Sequence, residues 1–428
     1  MYQASNQALR ALALLTGLDR MLLESALAET SGYRIIRVPK RSGGTRIIHI
    51  PTETLKMVQQ AILEMLYLWP THRYMFGFQP GRSPIQNAQR HLRLCRQSGD
   101  DGKNGKEFRP LNLKVPQYVL RLDIKDAFPS VTSTLVRSVF DDLFESHTID
   151  NCRPRNKYQI GLRDHCRQLA DCMYKNDLID LLVALTTTDG RLPQGVPSSP
   201  YLLNLTLCHT GLMNRLVNLC LRHKARVTLY ADDITISTDW QVSQRWTKKV
   251  IAALEQPKAF VVNPQKIHLN YRRHGAHTIT GVTLSEDEHG IGRVSISQNR
   301  LNQIRQILWM ASVLLEAGQI PDPKLNGFSL NQALGYAAWI GDVYRGQNKT
   351  HPLVEKPLAR FKAAFDALRT KNQEEEEREP EKNQVSPATL VSVQAVLVTL
   401  EGNQAKIEGL TEWGMKLFSR HFPRNSWE

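Results

Sequence analysis

Alternating apolar and polar positions predict several short β-strands along the chain. The stretch YRIIRVPKRSGGTRIIHI (33–50) alternates on both sides of SGG, which predicts a β-hairpin with basic residues near its turn. The run YVLRLDIKDAF (118–128) predicts a strand ending in carboxylates, and VTLYADDITIS (227–237) predicts a second hairpin. Further short strands are predicted around FVVN and within HTITGVTL.

Apolar residues at helical spacing predict helices between these strands. Helices are predicted at residues 1–30, 52–69, 87–95, 131–145, 200–220 and 242–256, and in most of the chain after Gly292. Polar stretches at 97–117 and 147–160 predict surface loops. This alternation of helices with a small antiparallel sheet predicts an α+β fold.

Charge points to a polyanionic partner. The chain has 428 residues, with 55 Lys and Arg against 41 Asp and Glu, a formal net charge of +14. Such an excess suits nucleic acid or an anionic membrane surface. The membrane is the weaker alternative, because no segment approaches the roughly 20 apolar residues of a spanning helix, and the N-terminal segment resembles a packed amphipathic helix rather than a signal peptide.

Cysteine usage favours a cytoplasmic location. The six cysteines form no C-x-x-C pair, which is typical of reduced thiols in a cytoplasm. A zinc site at His165, Cys166 and Cys172 is conceivable, but the irregular spacing of these residues disfavours it.

Two adjacent carboxylates, Asp232 and Asp233, interrupt the second hairpin. They either form a solvated charged turn or hold a cation, and Asn-Gly or Asp-Gly suits a tight turn better. Asp123 ends the other strand, so the three carboxylates can converge at one sheet edge. Two Mg²⁺ ions about 3.5 to 4 Å apart would relieve their repulsion, activate an attacking hydroxyl and neutralise a leaving pyrophosphate. Substrate phosphates would complete such a site.

Three blocks, LRLDIKDAFPSV, LPQGVPSSPYLLNL and LYADDITIS, resemble the A, B and C motifs of reverse transcriptases in order and spacing. VVNPQKIHL and a basic K-x-x-G-x-x-R-like turn extend the resemblance. NAQRH (87–91) resembles the N-A-x-x-H element of bacterial retron reverse transcriptases, and HTITGVTLSEDEHGIGR resembles their V-T-G block, with Ile279 where the family usually has Val. The resemblance covers roughly residues 30–345.

This resemblance implies an α+β right-hand polymerase fold with fingers, palm and helical thumb, plus a C-terminal extension. The predicted boundaries are 1–30 for an N-terminal helical segment, 31–117 for fingers with an insertion near 97–117, 118–292 for the catalytic palm with interleaved fingers helices, 293–370 for the thumb, 371–387 for a charged linker, and 388–428 for an extension of unknown role. The run EEEERE could equally extend a helix. The segment ATLVSVQAVLVTL fits a strand, a helix or an interface.

The resemblance also implies the catalytic residues. Asp123 and Asp232 would bind two Mg²⁺ ions, with Mn²⁺ as a possible substitute, and Asp233 would be a secondary ligand or a positioning charge. Lys266 matches the motif D lysine, a general acid for the leaving pyrophosphate; its alternative is an ordinary surface lysine.

Nucleotide-binding roles are implied for a further set, namely Lys40, Arg46, Asp126, Ala127, Phe128, Gln194 and Gly195. Lys40 and Arg46 would clamp the triphosphate, or they are simply solvated. Asp126 would offer its backbone amide to the triphosphate or cap the next helix. Phe128 would act as a steric gate against a 2′-hydroxyl, or it belongs to the core. Gln194 and Gly195 would line the nucleotide pocket, where Gly permits close backbone approach.

RNA binding is implied for Asn87, His91 and Arg293. Asn87 and His91 share a helix face at i and i+4, where they contact template RNA or hold the fingers together. Arg293 belongs to the basic residues of the predicted thumb, which would follow the primer–template minor groove or form a solvated face.

The predicted function is RNA-templated DNA synthesis from deoxynucleotides. The retron resemblance implies a cognate structured non-coding RNA, priming from a guanosine 2′-hydroxyl, and a branched RNA–DNA hybrid called msDNA. It also implies antiphage defence with a separate effector protein and host RNase H. Alternatives are another defence-associated reverse transcriptase that makes repetitive or untemplated DNA on a companion RNA, a group II intron maturase, and a non-catalytic RNA-binding scaffold for an effector. The maturase is disfavoured because no maturase or HNH module follows the predicted thumb.

Overall fold

The computed structural model describes residues 4–30, 32–39, 44–95, 112–154, 156–256, 258–345 and 351–378. The chain divides into two compact units. Unit 1 contains the described residues of Met1–Arg82 and Pro116–Gly275, and unit 2 contains those of Ser83–Val115 and Ala276–Glu428. Both units are therefore discontinuous in sequence, and they cut across the predicted fingers and palm.

Helices account for most of the described residues. They are α1 (Asn6–Thr16), α2 (Arg20–Ala28), α3 (Glu53–Leu66), α4 (Pro84–Gln89), α5 (Ala127–Ser130), α6 (Ser133–Leu143), α7 (Ser146–Asp150), α8 (Lys157–Ala170), α9 (Lys175–Thr186), α10 (Ser199–His209), α11 (Leu212–Arg222), α12 (Gln244–Glu255), α13 (Gln298–Glu316), α14 (Pro323–Asn326), α15 (Leu330–Val343) and α16 (Pro352–Arg378). Within the described ranges, none of these helices combines the length and apolar character needed to cross a bilayer.

The strands form small antiparallel sheets. They are β1 (Arg34–Pro39), β2 (Thr45–Ile50), β3 (Arg93–Cys95), β4 (Asn112–Lys114), β5 (Tyr118–Asp123), β6 (Arg226–Tyr230), β7 (Asp233–Thr238), β8 (His268–Tyr271), β9 (His277–Ile279), β10 (Val282–Glu286) and β11 (Gly292–Ser295). This mixture of helices and antiparallel sheets confirms the predicted α+β class.

The central sheet of unit 1 has the strand order β6-β7-β5-β8. Ile234 and Ile236 on one face of β7 are buried, and so are Thr235 and Ser237 on the other. Successive side chains of a strand point to opposite faces, so both faces of β7 are covered by protein. Ile234 and Ile236 belong to one hydrophobic core, which also contains apolar residues from α1 to α12.

The predicted basic hairpin forms from β1 and β2, which pair over six residues each. All of β1 is exposed, and Ile35, Val38 and Ile47 are among the exposed aliphatic side chains. A two-stranded ribbon of this kind has little core of its own. Residues 40–43, which include Lys40 and the first two residues of the predicted SGG turn, lie outside the described residues.

Unit 2 combines a three-stranded sheet, ordered β11-β10-β9, with the hairpin β3–β4 and the helices α4 and α13–α16. Helices α13 and α16 pack along each other. Leu301, Ile304 and Leu308 of α13 and Phe361 of α16 are buried in the core of this unit. The residues predicted to form the thumb are thus mostly helical.

Some predictions of local structure are wrong. The loop predicted at 147–160 contains α7 and the start of α8, because Ile149 and Leu162 bury their side chains in the core while their neighbours face solvent. The long helix predicted at 200–220 is two helices, broken at Gly211, whose φ is 68°.

The helix predicted at 87–95 ends early and gives way to a strand. Helix α4 stops at Gln89, and Arg93 pairs with Lys114 across β3 and β4. The strand predicted at FVVN is a single bridge between Val262 and Ile124. At residues 93–95, pairing with the distant strand β4 overrides the helical pattern.

The segment predicted as a charged linker at 371–387 begins inside α16, which continues to Arg378. Residues 379–428, including the predicted C-terminal extension, and most of the stretch at 97–117 lie outside the described residues.

Candidate functional site

A two-residue turn between β6 and β7 carries Asp232. Its first residue, Ala231, has a φ of 59°, and Asp232 is not among the described residues with positive φ. Positive φ at the first central position alone is the pattern of a type II′ hairpin turn, where Gly is preferred. A non-glycine residue held in such a sparsely populated backbone conformation costs about 1 to 3 kcal/mol. The amide of Ile124 donates to the Asp232 carbonyl over 3.2 Å, which ties the turn to the end of β5.

Three carboxylates meet beside this turn. Asp123, the last residue of β5, stands directly opposite Asp233, the first residue of β7. Asp232 precedes Asp233, and one carboxylate oxygen from each of the three residues lies within 4.8 Å of the others. Asp123 is buried, Asp232 is half-buried and Asp233 is exposed. The structure thus brings together the three residues that the sequence pattern placed at one sheet edge.

The carboxylates perturb one another's ionisation. Burial and then repulsion from Asp123 raise the pKa of Asp232, although the positive charges of Lys266 and Arg46 oppose the shift. Desolvation, followed by repulsion from Asp232 and Asp123, raises the pKa of Asp233 to about 6. The cluster is therefore a site where added positive charge is favourable.

Lys266 lies against this cluster. The side chain of Asn263 accepts a hydrogen bond from the Gln265 amide and caps the 3₁₀ turn Pro264–Lys266. The Asn263 amide donates to the Asp123 carbonyl over 2.8 Å. The turn is thereby fixed beside β5, and Lys266 Nζ lies 2.9 Å from Asp123 Oδ1. The nearly half-exposed ammonium pairs with the least exposed carboxylate of the site.

Replacing Asp233 by Asn is expected to stabilise the metal-free protein increasingly as the pH rises. The folded carboxyl has a pKa of about 6 against an ordinary value of 3.8. Between these values the folded state binds more protons than the unfolded state, so stability falls as the pH rises through this window. Thermal unfolding of wild type and Asp233→Asn in EDTA, from pH 4 to pH 7, measures the effect.

The difference in melting temperature between Asp233→Asn and wild type should grow with pH across this window. A pH-independent difference for Asp233→Asn would contradict the prediction.

The donor set fits a divalent cation. Carboxylate oxygens are the ligands that Mg²⁺ prefers, and Mn²⁺ accepts the same donors. A cation would also relieve the repulsion that raises the pKa values of Asp232 and Asp233. In the part of the chain that the structure describes, the three aspartates are the group of carboxylate, His or Cys side chains that can converge on one ion.

The alternative zinc site is not formed. His165, Cys166 and Cys172, all of them described residues, do not bring their ligand atoms together closely enough to hold one ion. Burial raises the pKa of the Cys166 thiol, which disfavours a metal-binding thiolate. Cys152, Cys166, Cys172, Cys208 and Cys220 are free cysteines.

Arg46 lies on the exposed strand β2, opposite Val38. The positive charge of its guanidinium opposes the rise in the pKa of Asp232. The structure thus joins Arg46 electrostatically to the aspartates. Its predicted companion Lys40 lies outside the described residues.

The LPQG segment is held against the same hairpin. The amide of His49 donates to the Gln194 carbonyl over 2.7 Å. Gly195 has a φ of 105°, and a Cβ built on it would lie 2.6 Å from Ile48 Cγ2 and 2.8 Å from the His49 carbonyl oxygen. Both the backbone conformation and the close approach require glycine. Gln194 and Gly195 therefore anchor the ribbon formed by β1 and β2.

Asp126, Ala127 and Phe128 lie three to five residues after Asp123, the last residue of β5. Asp126 has a left-handed φ of 45° and is exposed, and its side chain makes no capping hydrogen bond to α5. Its carbonyl instead accepts from the Ser130 amide over 2.9 Å. Ala127 and Phe128 are buried, with 8% of Phe128 exposed. The side-chain cap is therefore not formed, and Phe128 packs in the core of unit 1.

Asn87 and His91 are fully buried within unit 2. Asn87 Nδ2 donates to Thr280 Oγ1 over 3.3 Å, and Thr280 Oγ1 donates to the Pro84 carbonyl over 3.0 Å. These bonds fasten α4 to the turn between β9 and β10, so NAQRH and TITG form one assembly. This geometry supports the packing alternative rather than direct template contact. Arg293, by contrast, is exposed on β11.

Sequence reasoning did not identify two residues that support the Asp232 turn. Asn204, on α10, is 1% exposed, and its Nδ2 donates to the Gly77 carbonyl over 2.8 Å. Gly77 in turn lies against the backbone of Ala231. The available signal was a polar residue inside the otherwise apolar run YLLNL, since a buried amide needs a partner.

The chain is similar to known proteins over most of the region that contains these residues. A family profile described as "Reverse transcriptase (RNA-dependent DNA polymerase)" matches residues 38–284. The retron Mx65 reverse transcriptase of Myxococcus xanthus is 31% identical over 254 residues, which cover 59% of this chain and 51% of that protein. The match thus spans about half the length of that relative.

Two proteins of Escherichia coli are also similar. The retron Ec86 reverse transcriptase is 26% identical over 271 residues, covering 63% of this chain and 68% of that protein. The retron Ec73 reverse transcriptase is 23% identical over 341 residues, covering 75% and 90% respectively. A solved structure of apo telomerase from Candida tropicalis, truncated from its C-terminal domain, aligns with a TM-score of 0.37 and 14% identity over 62% of this chain and 55% of that chain, which does not establish a shared fold.

Proposed function

We propose that this chain, a member of the reverse transcriptase family, synthesises DNA on an RNA template. The chain belongs to that family because the family profile matches residues 38–284, which are more than half of the chain. The observation that carries this proposal is the convergence of three carboxylates within 4.8 Å at the edge of the central sheet. In this assignment the sheet of unit 1 is the palm of a right-hand polymerase, the β1–β2 hairpin belongs to the fingers, and α13, α15 and α16 supply the thumb.

Asp123 and Asp232 would hold two Mg²⁺ ions, with Asp233 as a further ligand or a positioning charge. When bound, the ions supply Lewis-acid activation of the primer hydroxyl and charge neutralisation at the leaving pyrophosphate. Asp123 and Asp232 orient their oxygens because strand register and the Ala231 turn fix both backbones. The reaction joins the primer oxygen to the α-phosphorus of a dNTP and breaks its bond to pyrophosphate.

Other residues of unit 1 would bind the nucleotide. Arg46 is suited to a bidentate contact with the triphosphate, and Lys40 is assigned the same role from the family resemblance. Gln194 and Gly195 would shape the pocket wall beside the hairpin, and the amides of Asp126 and Ala127 would face the phosphates. Phe128 would exclude a 2′-hydroxyl by its ring. Because only 8% of Phe128 is exposed, a small part of its surface is available for this contact.

Lys266→Gln is expected to lower the rate of nucleotide addition about tenfold. Lys266 Nζ lies 2.9 Å from Asp123 Oδ1, so it is close enough to the reacting centre to protonate the pyrophosphate as it leaves. The expected loss is below the usual 10²- to 10⁴-fold contribution of a positioned general acid, because the side chain is 44% exposed and water can replace it. Single-turnover addition measured against pH provides the test.

Lys248→Gln, on the exposed face of α12, is the matched control and should leave the rate unchanged. A general acid also predicts that the alkaline limb of the wild-type pH profile disappears in Lys266→Gln. An unchanged rate and profile would assign Lys266 to the surface-lysine alternative.

A retron is the proposed biological setting. The relatives reported above are named as retron reverse transcriptases, and the joined NAQRH and TITG segments correspond to the two elements of the retron resemblance. The cognate partner would be a structured non-coding RNA. Synthesis would be primed from the 2′-hydroxyl of a guanosine, and the product would be msDNA. A separate effector protein, host RNase H and a role in antiphage defence complete this proposal.

Two alternatives predict different products. Another defence-associated reverse transcriptase would make repetitive or untemplated DNA on a companion RNA. A non-catalytic scaffold would bind RNA alone, but the raised pKa values of Asp232 and Asp233 argue against it, since a scaffold gains nothing from a repulsive cluster.

The deciding experiment is expression of the gene with its flanking DNA, followed by purification of the protein and sequencing of its bound nucleic acid. A discrete single-stranded DNA, covalently linked to RNA and copied from adjacent sequence, is expected. Repetitive or untemplated DNA would overturn the retron assignment and keep the polymerase. RNA without DNA would favour the scaffold.

A further inference from the structure

A short segment of unit 1 lies along the outer edge of β6, next to the turn that carries Asp232. We refer to residues Tyr74–Gly77 as the edge segment. The Leu229 amide donates to the Tyr74 carbonyl over 2.9 Å, and the Phe76 amide donates to the Leu229 carbonyl over 2.8 Å. Met75 forms a parallel bridge with Leu229. The edge segment therefore runs parallel to β6 towards the turn.

Gly77 ends this segment in direct backbone contact with the turn. A Cβ built on Gly77 would lie 2.3 Å from the Ala231 nitrogen, 3.0 Å from the Tyr230 carbonyl carbon and 3.2 Å from Ala231 Cα. These neighbours are backbone atoms, which cannot rotate away as a side chain can. Gly77 is thus required by contact rather than by its own φ, and the two backbones support each other.

The contact occurs where the backbone is unusual on both sides. Ala231 has a φ of 59° and Phe78, directly after Gly77, has a φ of 58°. Non-glycine residues keep such conformations only where the surrounding structure imposes them, and they cluster at functional sites. The edge segment and the turn each provide that constraint for the other.

Asn204 fixes the edge segment from the interior. Its Nδ2 donates to the Gly77 carbonyl over 2.8 Å, and the residue is 1% exposed. Its neighbours on α10, Leu203 and Leu205, are buried apolar residues. A buried amide in this setting holds its partner firmly, because an unpaired amide or carbonyl is costly there.

We propose that Asn204 and Gly77 form a brace that sets the conformation of the Ala231–Asp232 turn and so the spacing of the three carboxylates. Asn204 and Gly77 act as positioning residues, through the turn rather than on substrate. The inference rests on the proposed function, because the brace would determine how tightly the three carboxylates bind divalent ions. Residues that orient metal ligands typically change metal affinity 10- to 100-fold when mutated.

Gly77→Ala should weaken Mn²⁺ binding about tenfold, measured by the electron paramagnetic resonance signal of free Mn²⁺, and should raise the Mg²⁺ concentration for half-maximal synthesis by a similar factor. Gly161→Ala is the matched control, since a Cβ at Gly161 on α8 meets nothing within 4 Å. Asn204→Leu, which keeps the side chain's bulk but removes the donor, should weaken Mn²⁺ binding in the same direction and serves if Gly77→Ala does not fold.

Leu203→Ala separates positioning from stability. Leu203 is fully buried on the same helix, so this variant should lower the melting temperature and leave Mn²⁺ affinity unchanged. If Gly77 and Asn204 act through one brace, the double variant Gly77→Ala, Asn204→Leu should bind Mn²⁺ no more weakly than the weaker single variant.

Unchanged Mn²⁺ affinity in both Gly77→Ala and Asn204→Leu would overturn the brace, and so would Leu203→Ala weakening Mn²⁺ binding as much as Asn204→Leu. The outcome for the proposed function is separate. Wild-type protein that binds Mn²⁺ without synthesising DNA would contradict the proposed function, while the variants would still decide the brace by binding alone.

Discussion

Asp123→Asn is expected to lower DNA synthesis at least about 10³-fold. Asp123 is 6% exposed, is paired with Lys266 and stands opposite Asp233 at the centre of the cluster. Asn keeps the shape of the side chain but removes the charge that would hold a divalent ion, and several kcal/mol of charge stabilisation in the reaction depends on that ion. Primer extension on an RNA template at saturating dNTP and Mg²⁺ measures the loss.

The loss should occur without unfolding. Removing one charge from a repulsive cluster relieves Asp232 and Asp233, so the melting temperature in EDTA should not fall by more than a few degrees. Asp171→Asn, at an exposed helix end, should retain full activity. Synthesis by Asp123→Asn within tenfold of wild type would remove Asp123 from the catalytic set.

Gly195→Ala is expected to lower synthesis at least about 10²-fold, the effect of misplacing reacting groups by about 1 Å. The added Cβ would lie 2.6 Å from Ile48 Cγ2 and 2.8 Å from the His49 carbonyl oxygen, and the φ of 105° disfavours any side chain. The clash should push β2 and its Arg46 away from the carboxylates. The apparent KM for dNTP should therefore rise together with the loss in rate.

Gly17→Ala tests strain without the clash. Gly17 has a φ of 70° at the end of α1, and a Cβ there meets nothing within 4 Å. This control should cost about 1 kcal/mol of stability and leave synthesis unchanged. If Gly17→Ala and Gly195→Ala lose activity equally, the contact between Gly195 and the hairpin is not responsible.

The carboxylate cluster was the most predictable part of the molecule. Asp123 ends one alternating strand, Asp232 lies in the two-residue connection between two others, and Asp233 begins the second of these, so neighbouring antiparallel strands bring the three together. The period-2 pattern sets strand identity, and the two-residue connection sets the register. Both signals are local, and both survive in the folded sheet.

Non-local causes account for most of what the sequence pattern missed. In the stretch GFQPGRSP, Gly77 looks like an ordinary turn glycine. The need for glycine at this position comes from its contact with Ala231, far along the chain. Asn87 and His91 were expected to share a helix face, but α4 ends at Gln89 and His91 lies beyond it. The pattern also could not indicate that both side chains are buried. The short helix α7, which contains Ile149, was hidden because most of its residues face solvent.

The edge segment, Tyr74–Gly77, also covers the outer strand β6 of the central sheet. A border strand with free amides and carbonyls is a template onto which a strand of another molecule can add, and proteins commonly cover such borders. At Leu229 both groups are already satisfied by Tyr74 and Phe76. The end of the sheet that carries Asp232 can therefore remain accessible to a large polymer. At Leu229, the neighbouring strand β6 offers no free backbone group to which a strand of a second molecule could pair.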